Sequence, residues 1–337
     1  MSNYAYVATR ARSRRSRLLP AEAYNQLLNL EHAEIARYIQ DLEYRREIDR
    51  YGSTLSGADL IETALVDNLA KDVGDFLSFS KGKLRDILHV YAEKYRIENL
   101  KNIVRGINQN MDKQNLERLV CPINDSDKEL YNKLYDSKTV EDMVSTLEGT
   151  SYYIPLKKAL EARNSDSLQP LEDALDLIYY QNLVSNQPSG GADVEVYRDF
   201  VQLKVDIANI KTLLRMRHRG IVAHDELLIS GGTLNTDMLS STQSLDDLLA
   251  SLEGSKYFEL LEPHLKPDSI DLNSCVHCLD EYMANKTKRF SYLYPLSVLP
   301  VLDYLLKKER EVYNLRAIVR GKQAGLSNEI IEELVVV

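Results

Sequence analysis

The sequence predicts an all-α protein on three observations. One helical phrase returns three times, apolar residues recur at helical spacing along most of the chain, and strand signals are scarce. The phrase is Asn99-Leu100-Lys101-Asn102-Ile103-Val104-Arg105, then Asn209-Ile210-Lys211-Thr212-Leu213-Leu214-Arg215, then Asn314-Leu315-Arg316-Ala317-Ile318-Val319-Arg320. The copies lie 110 and 105 residues apart, which is the length of a small domain and not the short period of a solenoid. Triplication predicts three similar helical-bundle domains in a quasi-threefold arrangement. Their expected bounds are 1–124, including a basic N-terminal helix, then 125–230 and 231–337.

The elements follow in order. Residues 1–21 carry Arg10, Arg12, Arg14, Arg15 and Arg17 and no acid, on a chain of net charge −9, so the remainder stands at −14 once those five are subtracted. This basic start admits three readings: a solvated helix paired with the acidic body, a contact with an acidic partner or anionic surface, or an organellar transit segment. Helical periodicity then runs through Pro20 to Ile48, Gly57 to Leu77, Asp127 to Leu147, Leu168 to Val184 and Leu245 to Leu261. The second and third copies stay in one register from Ser137 to Tyr153 against Thr242 to Phe258, including a shared Leu-Glu-Gly at Gly149 and Gly254. The first copy is the most diverged. Leu27, Leu30, Ile35, Ile39 and Leu42 take the place of that stretch, without the Gly.

Within the repeated phrase, Ile97, Leu100, Ile103 and Val104 form one apolar stripe, matched by Ile207, Ile210, Leu213 and Leu214 and by Val312, Leu315, Ile318 and Val319. Lys101 with Arg105, Lys211 with Arg215 and Arg316 with Arg320 lie four apart on another face. That basic row either lines a partner site or is a solvated, internally paired face. Asn99, Asn209 and Asn314 border the stripe, where a buried amide needs hydrogen-bond partners; a repeated Asn there would fix helix register. Each copy closes with a short helix, at Asn115 to Leu119, Asp225 to Leu228 and Asn328 to Ile331. Short strand pieces are expected only near Val120 to Ile123 and Leu227 to Ser230, and loops at Ser185 to Gly191 and Ser230 to Thr233.

Composition limits the function. With 44% hydrophobic and 28% charged residues the chain is globular and long enough for more than one core. The acidic body argues against nucleic acid. The longest uncharged run, Phe290 to Leu302, spans 13 residues and contains Pro295 and Pro300, too short to cross a bilayer. Three cysteines and no secretory signal point to a reducing, cytoplasmic setting. Cys275-Val276-His277-Cys278 has the spacing of a zinc or redox pair, but no second ligand pair follows and no βαβ context surrounds it, so the cysteines are read as packing residues. No phosphate-binding glycine loop occurs, no Glu-x-x-His recurs, and His218 and His224 flank a turn without a carboxylate pattern. No catalytic residue, cofactor or metal is expected.

The three phrases, with the opening Tyr4-Ala5-Tyr6-Val7, Arg12 and Ser16-Arg17-Leu18-Leu19, resemble the C subunit of archaeal and bacterial A/V-type ATP synthases, the counterpart of the d subunit in eukaryotic V-ATPases. The resemblance runs from the N-terminal helix to Lys322. It implies an all-helical funnel of three domains that sits on the membrane proteolipid ring, at the cytoplasmic side, and acts as a non-catalytic socket for the central-shaft subunits. It also removes the transit-peptide reading, because members begin their mature fold with this helix. Without it the chain would read as a free-standing helical adaptor or, more remotely, a thiol or zinc protein built on Cys275 and Cys278.

Overall fold

A computed structural model of the chain describes residues 2–163, 167–188, 190–219, 221, 227–266 and 269–336. The helical expectation holds. After α1 (Tyr4–Arg15), the first copy lays out α2 (Ala21–Leu27), α3 (His32–Gln40), α4 (Arg45–Tyr51), the long α5 (Gly57–Phe79) and α6 (Lys83–Asn108), and the closing α7 (Lys113–Leu119). The second supplies α8 (Asp125–Leu134), α9 (Val140–Thr146), α10 (Tyr153–Glu161), α11 (Gln169–Ser185) and α12 (Ala192–His218). The third supplies α13 (Thr236–Ser241), α14 (Leu245–Leu252), α15 (Lys256–Leu261), α16 (Leu272–Leu293), α17 (Leu299–Gln323) and the closing α18 (Asn328–Leu334). Three short helices followed by two long ones is the plan each time.

Local chemistry sets these boundaries. Side chains of Asn124, Thr139 and Ser255 accept amide hydrogens at the starts of α8, α9 and α15, and Ser244 and Asp247 make a reciprocal capping box on α14. Each cap satisfies an amide that a helix start leaves unpaired. Gly149 and Gly254 explain the shared Leu-Glu-Gly, because both adopt left-handed backbone, with φ of 85° and 75°. Among the described residues the link from α3 to α4 contains no left-handed residue, so the first copy does without that glycine. There Leu27, Ile35 and Ile39 are buried and Leu30 is half-buried, whereas Leu42 is 40% exposed.

All three phrase helices end alike. The amide of Met111 donates to the Gly106 carbonyl at 3.0 Å, Ile221 to Met216 at 2.9 Å and Leu326 to Gly321 at 3.0 Å, the bond of a Schellman stop. Asn110 and Gly325 take the left-handed backbone this stop requires. The closing helices α7 and α18 then press Leu116 and Ile331 onto Gly106 and Gly321, where an added Cβ would collide with them. In the second copy the expected closing helix falls partly on Asp225 and Glu226, which lie outside the described residues, as does His224.

The repeated Asn does more than hold register. Asn99 donates its amide to the Cys121 carbonyl at 2.9 Å and accepts the Cys121 N–H at 3.4 Å. Asn209 makes the same pair of bonds with Ile229, at 2.8 and 2.9 Å, and Asn314 with Val336, at 2.8 and 2.9 Å. One side chain thus replaces a neighbouring strand, satisfying both polar groups of an extended residue. This corrects the strand expectation: the pieces near Cys121 and Ile229 are extended segments clasped by an asparagine. Among the described residues the one strand pair is Leu265–Lys266 antiparallel to Ser269–Ile270.

Packing runs across the copies. The second long helix of one copy lies against the first long helix of the next: α6 on α11, α12 on α16, and α17 on α5. The order is cyclic, because the third copy returns to the first. Leu100, Ile210 and Leu315, on α6, α12 and α17, are each fully buried. One apolar cluster joins Leu27, Ile35, Ile39, Ile61 and Leu65 from the start of the chain to Val312, Leu315, Ile318, Val319 and Ile331 from its end.

Candidate functional site

The basic row of the repeated phrase is spent on this cyclic packing. Lys101 reaches Asp176 at 2.6 Å, and Arg105 grips Glu172 through two bonds of 2.7 Å, both acids lying on α11. Arg316 and Arg320 both bind Glu62 on α5, and Arg320 also meets Asp59 at 3.1 Å. Lys211 pairs with Asp280 on α16, while Arg215 donates to its own helix at the Lys211 carbonyl. These rows are internally paired faces, and Arg215 alone of the six lacks a carboxylate among the described residues.

Of the five N-terminal arginines, Arg14, Arg15 and Arg17 are ion-paired within the protein. Helix α1 buries Val7, Ala8 and Ala11 and so turns one side to the protein. Arg14 bridges Asp72 and Asp75 on α5, each at 2.6 Å, and Arg15 binds the buried Asp303 of α17 at 2.6 Å. Asp72 also accepts from the Tyr304 hydroxyl, and Arg15 meets the Tyr292 hydroxyl at 2.8 Å. The seam where the third copy returns to the first is therefore sealed by α1. Beside it the buried Lys308 lies 3.0 Å from Glu311 and 2.7 Å from the Tyr44 hydroxyl, and Glu311 accepts the Leu19 amide at 2.6 Å. Arg10 stacks on Tyr6 and Phe79, Arg17 pairs with the exposed Glu43 at 3.1 Å, and the exposed Arg12 side chain has no charged partner among the described residues.

A second polar cluster sits where α6, α12 and α17 converge. Five residues before each repeated Asn stand Lys94, Lys204 and Glu309, all half-buried. Lys94 donates to Glu309 at 2.6 Å, and Glu309 also accepts from the Tyr95 hydroxyl. The Lys204 ammonium lies 5.9, 5.6 and 5.8 Å from the ring centres of Tyr91, Tyr179 and Tyr180, within cation–π range. Surrounding protein lowers its pKa to about 7; repulsion from Lys94 adds to this and Glu309 opposes it. Burial and the Glu309 charge together hold the Tyr95 phenol well above its ordinary range.

Comparison with known proteins decides what this architecture belongs to. The model of the ATP synthase (C/AC39) subunit family matches residues 7–334, nearly the whole chain. The chain belongs to that family. It is similar to the C subunit of the A-type ATP synthase of Haloferax volcanii, at 36% identity over 99% of this chain and 98% of that protein. The same component from Methanosarcina mazei is 33% identical over 100% and 93%, and that from Archaeoglobus fulgidus 32% identical over 99% and 96%.

The other groups singled out in the sequence are packed or already paired. Cys275 is buried and Cys278 half-buried, with the Cys278 thiol donating to the Leu260 carbonyl at 3.4 Å. Burial pushes the Cys275 thiol up to about 11 and raises that of Cys278, the opposite of an activated thiolate. Among the described residues no three His, Cys, Asp or Glu side chains cluster as metal ligands. A cleft of about 310 Å³ between α6 and α11 is lined by His89, Glu93, Arg96 and Asp127, but Arg96 already binds Asp127 at 2.8 Å and Glu93 at 3.3 Å. The convergence of Lys94, Lys204 and Glu309 escaped the sequence reading. Its signal was a charged residue at one fixed offset in all three copies.

Proposed function

We propose that this chain is the non-catalytic rotor socket of an A-type ATP synthase, linking the central-shaft subunits to the membrane proteolipid ring and carrying torque between them. The observation that carries this reading is cyclic packing: three copies of one helical unit close on themselves with equivalent positions meeting centrally. Such an object offers off-axis contacts around a centre, and off-axis contacts supply the lever arm that torque requires. Family membership and an all-helical body lacking a metal-ligand cluster among the described residues agree with it. No helix among the described residues is long and apolar enough to cross a membrane, as befits a peripheral subunit at the cytoplasmic face of the ring.

On this reading the units of duplication are residues 1–124, 125–230 and 231–337, forming a quasi-threefold funnel. Arg10, Arg12 and Arg17 are the outward share of the basic helix and meet the ring or its lipid, because Arg14 and Arg15 hold the seam. The test compares ATP synthase complexes reconstituted with and without this chain. Its removal should leave the head hydrolysing ATP while ion transport is lost; transport that persists without it would sink the coupling role. Arg12→Gln should weaken association with the ring and reduce its salt sensitivity, without touching the seam.

A further inference from the structure

In a chain of perfect threefold symmetry, Lys94, Lys204 and the residue at 309 would be identical, and three like charges would face one another at the centre. This chain places two ammonium groups and one carboxylate there. Glu309 is taken up by Lys94 at 2.6 Å and by the Tyr95 hydroxyl. Lys204 is left over. The charged groups that act on it are Lys94 on α6, Glu309 on α17, Lys211 on its own α12 and Asp280 on α16, while α11 presents Tyr179 and Tyr180. Asp280 is already bound by Lys211. Among the described residues the Lys204 ammonium makes no ion pair or hydrogen bond, and its near partners are the faces of Tyr91, Tyr179 and Tyr180. The hydroxyl of Tyr179 also lacks a partner among those residues. An ammonium half-withdrawn from water without an anionic partner opposes folding, so its own fold gives no reason for it.

We propose that Lys204 receives an acidic side chain of a protein partner seated on this central cluster, the carboxylate pairing with the ammonium between the tyrosine rings. Charge favours a single carboxylate: the cluster of two lysines and one glutamate is one charge short of neutral, which a carboxylate supplies and a phosphate dianion would overshoot. The identity of the partner as the central shaft rests on the socket reading above. Pairing raises the affinity of Lys204 for its proton, so binding takes up a proton. Affinity is then level below the free pKa of about 7 and falls as pH rises above it.

The test measures binding of the full-length chain to the purified shaft subunits of its own ATP synthase, with wild type, Lys204→Met and Lys204→Arg, at about pH 6 and about pH 9. Lys204→Met should weaken binding at least about tenfold at the lower pH and abolish the pH dependence. Lys204→Arg, charged at both pH values, should retain binding and also flatten the profile. Thermal melts of the free chain separate this from a structural role: removing an uncompensated cation should hold or raise the Tm of Lys204→Met. Wild-type binding unaffected by Lys204→Met overturns this inference alone, and weakened binding with a lowered Tm overturns it in favour of packing. No wild-type binding overturns the socket reading and this inference together. A Tm increase on adding inorganic phosphate, present in wild type and absent in Lys204→Met, would reassign the site to a free anion.

Discussion

In the first copy Lys101 and Arg105 cross to Asp176 and Glu172 of the next copy; in the second, Lys211 crosses to Asp280 while Arg215, one turn further, bonds only to its own helix. The two phrases are nearly the same. The difference lies on the other side of the contact, where α11 carries acids at 172 and 176 and α16 carries Val276 one turn before Asp280. A repeated motif therefore does not guarantee a repeated contact, because each basic row is completed by residues about seventy positions further along the chain or, in the third copy, near its start.

The largest effect follows from that dependence. A fragment 83–188, which keeps α6 with the helices it covers, should melt cooperatively, whereas a fragment 125–230 cut at the repeat bounds should not, since it lacks the helix that covers α9 and α11. Equal cooperativity of the two in thermal circular dichroism would show that each copy folds by itself.

Next come the core positions. Leu100→Ala, Ile210→Ala and Leu315→Ala should each cost about 2 to 5 kcal/mol in denaturant unfolding, because all three are fully buried at the same position of the repeated phrase. One value far below the others would break the equivalence of the copies. The clasping asparagines rank third. Replacing Asn209 or Asn314 by Ala strands a backbone N–H and C=O and should cost about 1 to 3 kcal/mol, with Asn99, slightly more exposed, at the lower end. Hydrogen exchange should quicken at the amides of Ile229 and Val336 respectively; unchanged protection there would mean that the clasp is incidental.

The smallest effect addresses the comparison itself. Arg105→Ala should lose up to about 1 kcal/mol, since the pair is bidentate but half-exposed, and Arg215→Ala should lose almost nothing. Val276→Glu should give Arg215 the partner its counterpart has and add a few tenths of a kcal/mol, about the value of an exposed pair. A double-mutant cycle between positions 215 and 276 measures the coupling, and a cycle that closes at zero would show that α16 holds residue 276 out of reach.

Much of the fold was legible because helices are local. The stripe through Leu100, Ile103 and Val104 was read from its spacing and is buried as read; the caps Thr139 and Ser244 and the left-handed Gly149 and Gly254 also act within a few residues of their own position, but their roles came from the structure. The β-rich look of Val120 to Ile123 misled for the opposite reason: an extended segment and a strand share a local preference, and only the distant Asn99 decides which it becomes. The arginine helix was legible in charge but not in destination, because Arg14 and Arg15 meet Asp72 and Asp303, and the latter lies 288 residues away.

What the sequence by itself determined is therefore the helical content, the triplication, the buried stripe and the absence of any recognisable catalytic motif, all carried by short-range periodicity and residue type. What only the tertiary structure decided is the cyclic order of the copies, the sealing of their seam by α1, and the meeting of Lys94, Lys204 and Glu309. Those three residues sit at one helical position but more than a hundred residues apart in the chain. Coulomb energy depends on distance in space, which helical periodicity does not encode.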